Sequence, residues 1–182
     1  MIDGTKSQDR NLRRQIACRG VCHRLIRCFG ALLVTATAVS AAPASAQKVR
    51  IDGLVDVNFG TIANLTADSW QSQSICVFSQ TANGGYNIRA FGSGTGGSFT
   101  LASGGNTLAY EVQWSATSGQ TTGTILTANT ALTGLTSAAT QQVCNAGPPT
   151  TASLIVVLRA AALTSAIAGA YSGTLTLVVA PE

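Results

Sequence analysis

The pattern of apolar and polar residues near the C-terminus predicts a half-buried β-strand. In residues 170–182 one face carries Tyr171, Leu175, Leu177 and Val179, and the other carries Ser172, Thr174 and Thr176. Side chains alternate between the two faces of a strand, so this spacing is typical of a strand with one buried side. Few residues follow Val179, and we expect the outer edge of this strand to find no partner within the chain. Because an unpaired apolar edge attracts other strands, a second chain is expected to supply the missing one.

A second alternating segment lies at residues 47–60. Its apolar face carries Val49, Ile51, Val55, Val57 and Phe59, with Gly53 at the intervening position, and its polar face carries Lys48, Arg50, Asp52, Asp56 and Asn58. Two interpretations of this segment stay open. It is either the first strand of the domain's own sandwich or a donor strand that inserts into a neighbouring subunit by β-augmentation.

Short apolar runs, separated by Gly, Asn and Ser, predict further strands. Residues 73–79 and 152–159 are apolar on both faces, which is typical of central strands. The sequence Asn-Gly-Gly at residues 83–85 predicts a hairpin, because Asn and Gly adopt a positive φ at little cost. The alternating residues Leu108, Tyr110, Val112 and Trp114 are expected to face the core together.

The remaining segments carry weaker patterns. Residues 115–142 predict loops with one or two short edge strands, and residues 160–169 predict a single helical turn. Tyr171 follows this corner, in a position that resembles the tyrosine corner of immunoglobulin-like domains. Strands at this spacing predict an all-β, immunoglobulin-like sandwich of about six to eight antiparallel strands.

The first 46 residues differ from the rest of the chain. Six arginines precede an apolar run at residues 29–42, and Ala-Ser-Ala at residues 44–46 fits the small-x-small cleavage rule. The apolar run is shorter than the roughly 20 residues that a membrane-spanning helix needs, which disfavours a membrane anchor. We predict a signal peptide at residues 1–46, cleaved after Ala46, and a single exported domain at residues 47–182.

Removing the leader changes the charge of the protein. Residues 47–182 hold four Lys or Arg against five Asp or Glu, a net charge of −1. No cationic surface is left for phosphates, so we expect no nucleic-acid partner, and no membrane span after signal cleavage. The single histidine, His23, lies in the leader, which removes the usual general base and the commonest metal ligand. We therefore predict no catalytic residue, no metal and no cofactor, and a protein that is not an enzyme.

Two cysteines remain in residues 47–182. In an oxidising compartment an even pair of cysteines typically forms a disulfide, so we predict a bond between Cys76 and Cys144. It closes a loop of 68 residues, which is worth on the order of 4 kcal/mol in the chain-entropy model. The alternatives, two free thiols or a metal site, lack a supporting histidine or a further cysteine.

Several short motifs together resemble one family. They are Asn-Phe-Gly-Thr-Ile at residues 58–62, Cys76 followed by Gly-Tyr at residues 85–86, Leu-Ala-Tyr-Glu-Val at residues 108–112, and Ala-Gly-Ala-Tyr-Ser-Gly-Thr-Leu-Thr-Leu at residues 168–177. On these motifs the chain resembles a chaperone–usher pilus subunit of the archaic type that carries the spore coat protein U domain. The resemblance covers most of residues 49–182. It implies an immunoglobulin-like fold that lacks its final strand.

The resemblance also implies how such a subunit works. In this family a periplasmic chaperone lends the missing strand, and the N-terminal extension of the next subunit later replaces it. The implied donor residues are Val49, Ile51, Val55 and Val57, and the implied acceptor groove contains Tyr171, Leu175, Leu177 and Val179. The implied partners are copies of this chain or related pilins, the chaperone and an outer-membrane usher, at the bacterial cell surface.

This chain departs from the family pattern at its N-terminus. Family members usually carry a donor extension followed by a separate first strand that contains a cysteine. Here only about a dozen residues lie between the predicted cleavage site and Phe59, and none of them is a cysteine. Residues 47–57 therefore serve as donor strand, as first strand, or as a continuous piece of both.

A function of another class remains as the alternative. The chain is then a self-contained secreted β-sandwich binding module, such as a carbohydrate-binding domain or a tip adhesin. Trp70, expected in a loop, is the candidate aromatic platform for a sugar, because Trp114 is expected in the core.

Overall fold

The computed structural model describes residues 47–182, and the predicted signal peptide with its cleavage site after Ala46 lies outside the described residues. The described part contains ten strands, one short α-helix and one turn of 3-10 helix at Thr95–Gly97. The strands are β1 (Val49–Asp52), β2 (Ser69–Ser79), β3 (Gly85–Gly92), β4 (Thr100–Ser103), β5 (Asn106–Ala109), β6 (Glu111–Ser115), β7 (Thr124–Ile125), β8 (Ala131–Thr136), β9 (Ala152–Leu158) and β10 (Leu175–Pro181). The helix is α1 (Ala160–Thr164), at the place where the sequence predicts a helical turn. The predicted all-β class is confirmed.

The strands form two antiparallel sheets and a separate hairpin. One sheet has the order β1-β2-β9-β6-β7, the other has the order β10-β3-β8, and β4 pairs with β5. Side chains from both sheets meet in a single core, which includes Ile75, Val77, Tyr86, Ile88, Val112 and Trp114. This arrangement agrees with the predicted immunoglobulin-like sandwich.

The ten strands exceed the expected six to eight, and one of the extra strands comes from the division of a predicted strand. The predicted strand at residues 108–114 changes partner at Tyr110, so that β5 pairs with β4 while β6 pairs with β9. The N–H of Tyr110 itself donates to the carbonyl of Phe99 at 3.0 Å. All four residues predicted to face the core here are nevertheless buried, because the alternation continues across the break.

β2 and β9 are central strands, as predicted. All seven residues of β9 and the last five of β2 are buried. The face turned away from the core is covered by a loop at residues 116–123, which strand hydroxyls hold in place. The N–H groups of Gly119 and Gln120 donate to the hydroxyls of Ser74 and Ser153, at 2.9 and 3.0 Å. Both faces of β9 are thus covered, which accounts for its continuous apolar run.

An aromatic pair links the two sheets. Trp114 of β6 and Tyr86 of β3 are almost fully buried, and their rings meet edge to face with centroids 6.4 Å apart. The Nε1–H of Trp114 donates to the Tyr86 hydroxyl at 3.1 Å. A buried indole N–H needs such a partner, so the pair satisfies both the packing and the hydrogen bonding of the core. The predicted core position of Trp114 is confirmed.

The turn at residues 83–85 does not form the predicted hairpin. Gly84 has a φ of +66°, so the chain does turn here. However, β2 pairs with β1 and β9, whereas β3 pairs with β10 and β8. The turn therefore carries the chain from one sheet to the other, because both edges of β2 have other partners. A Cβ atom at Gly84 would lie 2.6 Å from the carbonyl oxygen of Ser137, so this crossover requires glycine.

The N-terminal alternating segment forms a shorter strand than its pattern predicts. β1 ends at Asp52, because Gly53 adopts a φ of +83° and turns the chain out of the sheet. Val49 and Ile51 lie in β1, whereas Val55 and Val57 lie beyond it in an irregular segment.

Two aromatic residues also differ from expectation. Trp70 lies in β2 and not in a loop, because the pairing of β2 with β9 extends as far as Ser69. Half of the surface of Trp70 is exposed.

Tyr171 precedes the last strand, which begins at Leu175. Its hydroxyl donates to the carbonyl of Ile167 at 2.8 Å. This backward hydrogen bond is the contact that defines a tyrosine corner.

The structure contains the disulfide between Cys76 and Cys144. The bond joins β2 to the loop before β9, with 6.0 Å between the two Cα atoms. Both cysteines are buried. The bond therefore ties a loop that contains little regular structure to β2, one of the two central strands of the larger sheet.

Replacing Cys76 and Cys144 together by alanine is expected to lower the free energy of unfolding by about 4 kcal/mol, because the unfolded chain regains the freedom of a long loop. Urea unfolding measures this change. Reductant should have the same effect on the wild type and none on the double variant. A loss below about 1 kcal/mol would show that the bond does not constrain the unfolded chain.

Candidate functional site

An apolar groove opens between β10 and residues 54–62. Its volume is about 1010 Å³. The floor consists of buried side chains from β5, β9, α1 and the residue between β5 and β6, namely Leu108, Tyr110, Leu154, Val156, Leu158 and Leu163. All of them belong to the hydrophobic core. Whatever fills the groove therefore packs directly against the core of the sandwich.

The wall formed by β10 combines apolar side chains with a free backbone edge. Leu175 and Leu177 line the groove. β10 pairs with β3 along Leu175–Pro181, and among residues 47–182 its backbone makes no hydrogen bond to any other strand. Free N–H and C=O groups along a strand edge are available to an added strand. The groove thus offers both backbone and side-chain contacts to one extended segment.

Three of the four predicted acceptor residues line this groove. Leu175 and Leu177 do so from β10, and Tyr171 does so from the preceding loop. Val179 packs against the core from a position opposite Ile88 and does not line the groove. The groove therefore follows the beginning of β10 and the loop before it.

Exposed apolar side chains are concentrated around the groove. Nine large apolar side chains are markedly exposed among residues 47–182, and five of them line it. These five are Leu54, Val55, Val57, Leu65 and Ile167. Val55 is the most exposed, at 69%. A contiguous exposed apolar surface in a soluble domain is typical of an interaction site.

The four predicted donor residues are not brought together. Val49 and Ile51 pack against the core of their own domain from β1, which pairs with β2. Val55 and Val57 lie on the wall of the groove. In this structure the segment begins as the first strand of its own sheet and continues along the groove.

Gln73 of β2 makes a contact that the sequence analysis missed. The N–H of Val55 donates to its Oε1 at 2.9 Å, and its Nε2 donates to the Val55 carbonyl at 3.2 Å. The side-chain amide thus replaces, at one residue, the pair of bonds that a neighbouring strand makes. A signal was present in the sequence. Gln73 is the polar member of an alternating row whose next members, Ile75 and Val77, are fully buried.

A charged cluster fixes the helix that contributes to the groove floor. Arg159 forms ion pairs with Asp68 at 2.7 Å and with Glu111 at 2.5 Å. Asp68 also accepts a hydrogen bond from the N–H of Ala160, the first residue of α1, at 2.8 Å. The cluster therefore ties the loop before β2 and the start of β6 to the helix that places Leu163 in the floor. Scattered acidic residues in the sequence gave no sign of this grouping.

The same contacts shift the ionisation of the cluster. The hydrogen bond from Ala160 and then the guanidinium of Arg159 hold the pKa of Asp68 below its ordinary value. Hydrogen bonds to Glu111 and Asp68 raise the pKa of Arg159. Both groups are therefore charged at neutral pH.

In the groove floor, burial raises the pKa of Tyr110, so its hydroxyl stays protonated and is able to donate a hydrogen bond.

The described residues contain no group of three or more His, Cys, Asp or Glu side chains that could hold a metal ion. In the same part of the chain no helix has both the length and the apolar character needed to cross a membrane.

Comparison with known proteins gave likenesses to solved structures only. No family model and no curated protein matches the sequence. One similar structure is a chaperone–tip adhesin complex of CFA/I fimbriae biogenesis, with 15% identity and a TM-score of 0.44, over 74% of this chain and 42% of the other. Another is the CsuC–CsuE chaperone–tip adhesion subunit pre-assembly complex from archaic chaperone-usher Csu pili of Acinetobacter baumannii, with 20% identity and a TM-score of 0.37, over 73% and 39%. The chain thus spans about two fifths of each matched structure, and likenesses this low do not bear on function.

The ion pair of Asp68 is expected to make the free energy of unfolding decrease at acid pH. Because its pKa is lowered in the folded state, its ion pair contributes stability above the ordinary pKa of 3.8, and this contribution disappears as the pH falls through the folded-state value. Urea unfolding of the wild type and of Asp68→Asn, measured on both sides of that pKa, should therefore converge at acid pH. Asp56→Asn is the matched control, since Asp56 forms no ion pair within the described part of the chain. If the stability of Asp68→Asn and that of Asp56→Asn changed with pH in the same way, this result would contradict the role of the cluster.

Proposed function

We propose that the chain is a structural subunit of a secreted surface fibre, a pilus, in which neighbouring subunits are joined by donor-strand exchange. A periplasmic chaperone and an outer-membrane usher are the expected assembly partners. The observation that supports this function best is the apolar groove that reaches the core beside the free edge of β10. In β-augmentation the backbone edge supplies affinity, and the side-chain pockets supply register and specificity.

The groove has the chemistry that an extended apolar strand requires. An added strand beside β10 forms backbone hydrogen bonds worth about 0.5–1.5 kcal/mol each, and each apolar side chain that it buries adds about 1.5–3 kcal/mol. Alternate side chains of that strand point toward Leu154, Val156 and Leu158 in the floor. A strand with alternating apolar residues is therefore the occupant that matches this groove.

Residues 47–57 of a second copy of this chain are the proposed donor. Val49, Ile51, Val55 and Val57 share one face of an extended strand, as the groove requires. Val55 and Val57 are already exposed, whereas Val49 and Ile51 have to leave β2 of their own subunit before they insert elsewhere. If β1 stays in its own sheet, the subunit accepts a donor but offers none, as expected of a fibre tip.

A self-contained secreted binding module is the second candidate. The pairing of β1 with β2 of the same chain favours it, because this pairing makes residues 49–52 an integral strand. The exposed ring of Trp70 on β2 supplies one aromatic face for a carbohydrate. In this alternative the groove is a surface feature without an incoming strand.

A labelled peptide with the sequence of residues 47–60 is expected to bind the exported protein. Leu177→Asp should weaken this binding by roughly tenfold or more, because it places a charge in the apolar wall. Val178→Asp is the matched control, since Val178 lies on the same strand but is 48% exposed. Fluorescence anisotropy measures the affinity, and thermal unfolding confirms that both variants fold. Equal binding by the two variants, or no binding by the wild type, would count against a strand-accepting groove.

Deleting residues 47–57 is expected to leave a folded domain that no longer self-associates. Size-exclusion chromatography and circular dichroism measure the two properties. Val55→Asp combined with Val57→Asp should have the same effect on association with less effect on stability, since both side chains are exposed. If the deletion instead unfolds the domain and the double substitution leaves its association unchanged, the self-contained module is the better description.

A further inference from the structure

Residues 53–60 form a strap along the groove, bounded by two glycines with positive φ. Gly53 has a φ of +83° and Gly60 a φ of +62°, and no atom lies within 4 Å of the position of a Cβ at either residue. The backbone between them has no regular secondary structure. Both ends of the strap therefore turn through residues that change conformation readily and that have free space around them.

Hydrogen bonds attach the middle of the strap, residues 54–57, to the domain through one residue. Among the described residues, the backbone of 54–57 makes hydrogen bonds only at Val55, and both go to the side-chain amide of Gln73. The local bond from the Gly60 N–H to the Asn58 side chain lies within the strap itself. Phe59 packs against the core near one end of the strap, whereas Leu54, Val55 and Val57 leave much of their surface exposed, so side-chain packing adds little over residues 54–57.

We propose that Gln73 is a latch that holds the strap at the mouth of the groove and thereby gates the entry of a strand from a second copy of this chain. This inference rests on the proposed strand-accepting function. Gln73, Val55 and the first residues of β10 all line the same groove, so the strap lies beside the place that a strand added to β10 would occupy. Opening breaks one isolated pair of hydrogen bonds, with no neighbouring ladder to reinforce it.

The chemistry of an amide suits a latch that changes partners. Gln73 donates one hydrogen bond to the strap and accepts one from it, as a backbone residue in a ladder does. When the strap leaves, the amide is able to make the same two bonds to the backbone of the incoming strand. The polar group in the groove is then never left without a partner, which avoids the cost of an unsatisfied amide. Gln73 acts as a positioning residue for the strap.

The first test measures the latch itself. Amide hydrogen exchange of Val55, followed by NMR in the exported protein, is expected to be slow in the wild type and fast in Gln73→Ala. Gln71→Ala is the matched control, because Gln71 lies on the same strand and makes no hydrogen bond to the strap. Gln73→Glu keeps the acceptor and loses the donor, and it should give intermediate exchange. Unchanged protection of Val55 in Gln73→Ala overturns the latch.

The second test measures the gate. Association of the labelled peptide of residues 47–60 is followed by stopped-flow fluorescence, and Gln73→Ala should accelerate it by roughly tenfold, the factor given by about 1.4 kcal/mol of opening free energy. Gln71→Ala should match the wild type. If Val55 loses protection while association stays unchanged, the gate is wrong and the proposed function stands. If no protein binds the peptide, the proposed function fails, and the gate fails with it.

Discussion

The constraint on which the rest of this structure depends is the free edge of β10 above an apolar groove. Across the sandwich, strand backbones are paired in ladders and the inward side chains meet in one core. Beside β10 the same core is reached from outside, and the described residues provide no strand to pair with that edge. Unpaired backbone groups and accessible apolar side chains therefore lie along the same edge, and a single added strand is able to contact both.

The surrounding elements keep this groove in shape. β2 changes its contacts along its length, pairing with β9 over Ser69–Ile75 and with β1 over the residues that follow, and the disulfide lies where the change occurs. The cluster of Asp68, Glu111 and Arg159 fixes α1, which completes the floor. Rigid support on these sides leaves the strap as the mobile wall in our proposal, because residues 54–57 of the strap hydrogen-bond to the domain only through Gln73.

The sequence predicts the fold better than it predicts the groove. Alternation predicts β10 and the buried row that ends at Trp114, and runs that are apolar on both faces predict the central strands, because the burial of one or both faces of a strand determines which positions are apolar. Neither alternation nor turn residues identify pairing partners, so Asn-Gly-Gly at residues 83–85 predicts a hairpin although this turn connects the two sheets. The pattern at residues 47–60 hides the break at Gly53, because a glycine fits either a strand or a turn. The latch at Gln73 needed tertiary structure, since Val55 is distant from it in sequence.

Amide hydrogen exchange along β10 tests the central claim most directly. Alternate N–H groups of this strand bond to β3, and the others face the free edge. The account predicts that the outward amides exchange quickly in the isolated protein and become protected when the peptide of residues 47–60 or an assembled neighbour occupies the groove. Slow exchange of the outward amides in the isolated protein, or no change on occupation, would contradict it.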